Sequence, residues 1–131
     1  MRFALSSWLG IGVDMVRVER VAKISQAARE RLFTPAEIIT CESAPARSAE
    51  RFAARFAAKE AVLKALGTGL SQGMRWHDVE VAMDPLGAPQ ILLHGEAKKL
   101  ADVKRISKVL ISLSHDGGFA IAMAALQSKS D

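Results

Sequence analysis

Apolar and small or polar positions alternate from Leu9 to Val16. Ile11, Val13 and Met15 fall on one side of an extended chain, Gly12 and Asp14 on the other, which is the period of a strand. From Arg17 to Leu32 the pattern changes to helical spacing, with Val18, Val21, Ile24 and Ala28 on one side. Thr34-Pro35-Ala36-Glu37 opens a further helix, with Thr34 as N-cap, Pro35 at the first position and Glu37 three residues after the cap. Ser43–Ala49, containing Pro45, is a polar break. A long helix is predicted over Ser48–Leu66. Phe52, Phe56, Leu63 and Leu66 make its apolar stripe, and Gly67 supplies the left-handed residue that ends it.

Beyond it, Gly67–Met74 reads as a glycine-rich loop, Val79–Met83 and Gln90–His94 as two strands, and Glu96–Val103 as a short helix. Val109–Ser114 and Phe119–Ala125 are apolar strands around the turn His115-Asp116-Gly117-Gly118. The order predicts an α+β fold, a mainly antiparallel sheet packed with one long helix. At 131 residues, residues 1–131 are expected to form one domain. Gln127–Asp131 is expected to be a frayed tail.

Composition narrows the partners. Half of the residues are hydrophobic, which excludes a disordered chain. The net charge of +4 favours an acidic or phosphorylated partner. One cysteine, Cys41, excludes an internal disulfide and agrees with a cytoplasmic location. The apolar residues of Met1–Gly10 are too few and too interrupted for a transmembrane span or a signal peptide, so no membrane association is expected. Nucleic acid is not an expected partner: the chain has no Tyr, few aromatics for stacking and no recognition motif.

The chemistry concentrates on two acids. Glu60 lies one turn after Phe56 at the edge of the apolar stripe, and Lys64 follows one turn later. Asp14 lies on a strand interrupted by Gly10 and Gly12, and glycines there mark the close approach of a ligand or another backbone. Each feature alone has a plain structural explanation, an ion pair or an exposed strand end. Together, two carboxylates, a lysine and the Gly67-Thr68-Gly69 loop suit Mg²⁺, which takes few protein ligands and completes its shell with water and phosphate oxygens. The residues therefore point to a magnesium-dependent enzyme acting on a phosphate or diphosphate, and another phosphotransferase or a pyrophosphatase stays open at this level.

Gly10-Ile11-Gly12-Val13-Asp14, the run from Arg55 through Glu60 and Lys64 to Gly69, and Ser112-Leu113-Ser114-His115 occur in an order that resembles the holo-acyl-carrier-protein synthases, the short class of 4′-phosphopantetheinyl transferases. The resemblance implies that class's fold, a homotrimer with active sites between subunits, and transfer of 4′-phosphopantetheine from coenzyme A to a serine of apo-acyl carrier protein. It implies that Asp14 and Glu60 hold Mg²⁺ and that Lys64 contacts the transferred phosphate. It also places Arg55, His115 and the Gly67, Thr68 and Gly69 loop on the coenzyme A side. The base for the serine is left between Glu60, through a water, and Asp14. Carrier docking falls to the basic residues after Asp14, namely Arg17, Arg20 and Lys23, joined by Arg29 and Arg31. Met1–Trp8 precedes the first block and has no counterpart in the pattern.

Overall fold

The computed structural model describes residues 8–129. Its elements are β1 (Trp8–Arg17), α1 (Val18–Ala22), α2 (Gln26–Leu32), α3 (Pro35–Glu42), α4 (Ser48–Leu66), β2 (Val79–Met83), β3 (Pro89–Leu93), α5 (Gly95–Val103), β4 (Ile106–Asp116) and β5 (Phe119–Ser128). Short 3₁₀ turns at Pro45–Arg47 and Trp76–Asp78 lead into α4 and β2. Every strand pairing is antiparallel. One sheet has the order β1-β5-β4, and β2 and β3 form a separate hairpin, so the expected sheet is in fact two.

Helix α4 is buried on nearly every side. Ala57, Ala58, Ala61 and Ala65 are buried on α4, and β1 closes on its Ala61–Ala65 stretch. A Cβ built on Gly12 would lie 2.1 Å from the Ala61 carbonyl oxygen, and one on Gly10 2.3 Å from that of Ala65. The glycines of β1 therefore serve the approach of another backbone, one of the two alternatives their pattern allowed. Phe52 packs on Phe33 with ring centroids 4.9 Å apart, and Phe56 packs on Trp76 at 5.4 Å. Thr34 and Glu37 form the expected capping box at the start of α3, and Gly67 ends α4 at φ 84°.

Three expectations are corrected. The helix expected over Arg17–Leu32 is interrupted: β1 runs through Arg17, α1 has five residues, and α2 starts at Gln26. Ser25 is responsible, because its hydroxyl accepts the Ala28 N–H at 3.1 Å and caps α2. His115 and Asp116 belong to β4, His115 opposite Ala120, so the turn is confined to Gly117-Gly118. Gln127 and Ser128 lie in β5, and the Lys129 N–H donates to the Arg105 carbonyl at 2.8 Å, so the frayed tail does not start at Gln127. Met1–Ser7 and residues 130–131 lie outside the described residues.

Candidate active site

Asp14 lies on the same face of β1 as Gly10 and Gly12, toward α4. The close strand–helix contact brings it to Lys64, whose Nζ is 2.9 Å from Asp14 Oδ1 and also donates to the Val13 carbonyl at 3.1 Å. The hydrogen bond to Asp14 holds the Lys64 ammonium above its ordinary pKa. Glu60, one turn earlier, is half-buried. Burial first, then the Asp14 charge, raises its pKa, and Lys64 offsets only part of that. No hydrogen bond or ion pair among the described residues neutralises the Glu60 carboxylate.

These side chains fit a hard divalent cation. Burial and then the Asp14 charge make Glu60 hold its proton more tightly, and a cation beside the two carboxylates would relieve both. The donor set is oxygen only, and no group of three His, Cys, Asp or Glu forms among the described residues. That suits Mg²⁺, which needs one or two carboxylates and takes further oxygens from water and phosphate.

Gly67, Thr68 and Gly69 follow Lys64 at the same end of α4. Gly67 N–H donates to the Leu63 and Lys64 carbonyls, and Thr68 Oγ1 donates to the Gly69 carbonyl at 3.1 Å. Lys104 Nζ donates to the Leu66 carbonyl at 2.6 Å and steadies this helix end. Two expected site residues are elsewhere. His115 Nδ1 lies 3.4 Å from Glu50 Oε2. Glu50 is ten residues before Glu60, about 15 Å along the helix. Arg55 is 2% exposed, its Nε has no hydrogen-bond partner among the described residues, and one terminal nitrogen donates to the Arg51 carbonyl at 3.4 Å. One protomer thus gathers Asp14, Glu60, Lys64 and the glycine loop, and leaves His115 and Arg55 apart from them. A groove of about 660 Å³ between β3 and β4 contains none of these residues, so charge rather than concavity marks the site.

The basic residues after Asp14 divide. Arg17 lies over the Phe119 ring at 5.4 Å, and Lys23 pairs with Glu19 at 2.6 Å. Arg29 turns inward over Phe52 at 4.4 Å, near Glu42. Arg20 and Arg31 remain exposed, with no ion pair among the described residues.

Sequence reading missed one group beside the site. Lys59 Nζ lies 2.8 Å from Glu37 Oε1, and both side chains are fully buried. The spacing Phe52, Phe56, Leu63, Leu66 leaves one position of the stripe unfilled, and Lys59 occupies it. A lysine on an apolar stripe demands a buried partner, and that was the available signal.

The family model of the 4′-phosphopantetheinyl transferase superfamily matches residues 10–124. A holo-[acyl-carrier-protein] synthase of Geobacter sulfurreducens is 48% identical over 122 residues, covering 90% of this chain and 96% of the relative. Among solved structures, the holo-[acyl-carrier-protein] synthase of Neisseria meningitidis has a TM-score of 0.82 at 31% identity, covering 91% of this chain and 98% of that one. The synthase of Bacillus anthracis, solved in complex with CoA (3′,5′-ADP), has a TM-score of 0.79 at 32% identity, covering 94% and 99%. With the family match over residues 10–124 and a relative 48% identical over nearly its whole length, the chain belongs to the 4′-phosphopantetheinyl transferase superfamily.

Proposed function

We propose that this chain is a magnesium-dependent transferase acting as a homotrimer in the cytoplasm, in the pathway that builds fatty acids, with residues 1–131 as one catalytic domain. It moves 4′-phosphopantetheine from coenzyme A to a serine hydroxyl of apo-acyl carrier protein and releases adenosine 3′,5′-bisphosphate. The observation that carries the reading is the meeting of Asp14, Glu60 and Lys64 beside the Gly67–Gly69 loop, in a fold shared with a relative solved with CoA. No described helix is long and apolar enough to cross a membrane.

In this reading Asp14 and Glu60 hold Mg²⁺. When bound, the ion withdraws charge from the diphosphate of coenzyme A. Lys64, held charged by Asp14, turns its ammonium to the phosphoryl group undergoing transfer. The serine oxygen of the carrier forms a new bond to that phosphorus, and the bond to the adenosine 3′,5′-bisphosphate oxygen breaks. The serine proton is lost in the same reaction, either to Glu60 through a water or to Asp14. The loop of Gly67, Thr68 and Gly69 lines the coenzyme A side.

His115 completes the site from a second subunit. Support comes from the sheet face that turns away from α4. Ile11, Val13 and Met15 are 69%, 55% and 62% exposed, and Ile121 and Met123 of the neighbouring strand are 41% and 49% exposed. A continuous apolar sheet face of this kind marks a surface that another protein covers. Arg20, exposed on α1, steers the acidic carrier toward Asp14, with Arg17 and Lys23 beside it.

The test is direct. Incubation with apo-acyl carrier protein, coenzyme A and Mg²⁺ should increase the carrier's mass by one phosphopantetheine. Chelation should stop the reaction, and added Mg²⁺ should restore it. Release of phosphate from coenzyme A without any gain in carrier mass would leave a hydrolase or another phosphotransferase in its place.

A further inference from the structure

The interface between α4 and the β1-β5-β4 sheet consists largely of small residues. It is built from Ala57, Ala61 and Ala65 against Gly10, Gly12 and the small buried residues Ala120, Ala122 and Ala124 of β5. Helix packing gains its angular definition from ridges of large side chains entering grooves. An alanine face on a glycine and alanine sheet has few such ridges, Leu126 being the large side chain beside Gly10, and its directional contacts to β1 are those of Lys64 with Asp14 and the Val13 carbonyl.

A second, buried set of directional contacts occupies the opposite side of the helix. All three protons of the Lys59 ammonium have acceptors: Glu37 Oε1 at 2.8 Å, the Val79 carbonyl at 2.6 Å and the Trp76 carbonyl at 3.1 Å. Glu37 is equally committed. Its Oε1 accepts the Thr34 N–H and its Oε2 the Val81 N–H, each at 2.8 Å. One buried pair thus ties α4 to the start of α3 and the base of the β2–β3 hairpin. Lys59 and Glu60 are consecutive, so their side chains leave the helix about 100° apart. A turn of α4 by about 20° would carry a side-chain tip through about 2 Å. A misplacement of about 1 Å at a reacting group is enough to cost on the order of a hundredfold in rate.

We infer that Lys59 is a positioning residue for the transfer reaction: its hydrogen-bonded pair with Glu37 sets the rotation of α4, and thereby keeps Glu60 and Lys64 facing Asp14. The inference rests on the proposed roles of Asp14 and Glu60.

The experiment compares Lys59→Gln with Ile106→Ala, a core truncation on β4 that touches none of these contacts. Each is assayed at the same interval below its own Tm. Two quantities are read: kcat with saturating carrier and coenzyme A, and the affinity for Mn²⁺ by electron paramagnetic resonance with coenzyme A present. Lys59→Gln should lose at least about tenfold more kcat than Ile106→Ala and weaken Mn²⁺ binding by a similar factor, with the carrier KM unchanged. Lys59→Arg, which retains charge and donors, should recover part of both. Equal losses in Lys59→Gln and Ile106→Ala would overturn the inference and leave a pair that only stabilises. If Lys59→Gln does not fold, Glu37→Gln probes the same network with the same two outcomes. Asp14→Ala separates the failures. Mn²⁺ bound as tightly by Asp14→Ala as by wild type removes the metal-site reading itself. Mn²⁺ lost in Asp14→Ala but kept in Lys59→Gln removes only the positioning role.

Discussion

The role proposed for Glu60 opposes its contribution to stability. Its proton affinity is raised in the fold by burial and by the Asp14 charge. An acid of this kind favours folding while protonated, and that contribution is lost as pH rises through the raised folded pKa. Metal-free Glu60→Gln should therefore melt at a higher temperature than metal-free wild type near neutral pH. The gap should close as pH falls toward the ordinary glutamate value of 4.5. The same variant should lose transfer activity by at least about a hundredfold, because an amide does not supply the charge a hard cation requires. Calorimetry over a pH series with excess chelator, paired with the mass assay, reads both effects. A Tm below wild type at neutral pH would show that Glu60 has an unrecognised stabilising partner. Asp14, Glu60 and Lys64 were legible from sequence because each is a charged group in a conspicuous setting, on a glycine-broken strand or at the margin of an apolar stripe. Lys59 was missed although it fills the open position of that stripe, because the stripe signals burial without naming the element that supplies the lysine's partners. That element is the hairpin base, whose carbonyls lie 17 and 20 residues further along the chain.

At the scale of elements, α4 and β1 form the unit that makes the site, and glycine decides their separation. Gly12→Ala should destabilise the protein by about 1–3 kcal/mol, because its Cβ would press on the Ala61 backbone oxygen, which has no rotamer to relieve the clash. Chemical denaturation measures the loss, and activity should fall further than Tm alone explains as β1 is pushed from Lys64. The sequence showed both elements, the α3 capping box and the α4 C-cap, since caps and periodicity are local signals. It did not show which face of β1 is inside. Ile11, Val13 and Met15 are the larger apolar residues, yet the glycine face packs on α4, and only the alanine surface of the partner helix explains why. In the proposed reading, helix α1 is the element that meets the carrier. Arg20→Glu should raise the carrier KM by about tenfold or more while leaving the coenzyme A KM nearly unchanged, and added salt should weaken the wild type more than the variant. Steady-state kinetics with each substrate varied in turn decides it, and equal harm to both substrates would return Arg20 to a solvated helix face.

At the scale of the molecule, the sheet β1-β5-β4 has one face sealed by α4 and the other bearing Ile11, Val13, Met15, Ile121 and Met123. An antiparallel sheet tolerates water on one face when that face is polar. This one is apolar, and covering it with copies of itself also resolves the separation of His115 from Glu60. Met123→Lys, at 49% exposure on the central strand β5, should therefore turn the proposed trimer into a monomer in analytical ultracentrifugation, with helical content kept and transfer lost. Disassembly alone does not prove that residues of two subunits share a site, but mixing inactive subunits does. Glu60→Gln lacks one half of the proposed site and His115→Ala the other. If they are unfolded together in equal amounts and refolded, a working site needs Glu60 from a His115→Ala subunit and His115 from a neighbouring Glu60→Gln subunit. Random assembly gives that arrangement at about one site in four, so the mixture should recover about a quarter of wild-type activity. A site built within one subunit gives no recovery at any mixing ratio, since every subunit then carries one defect of its own.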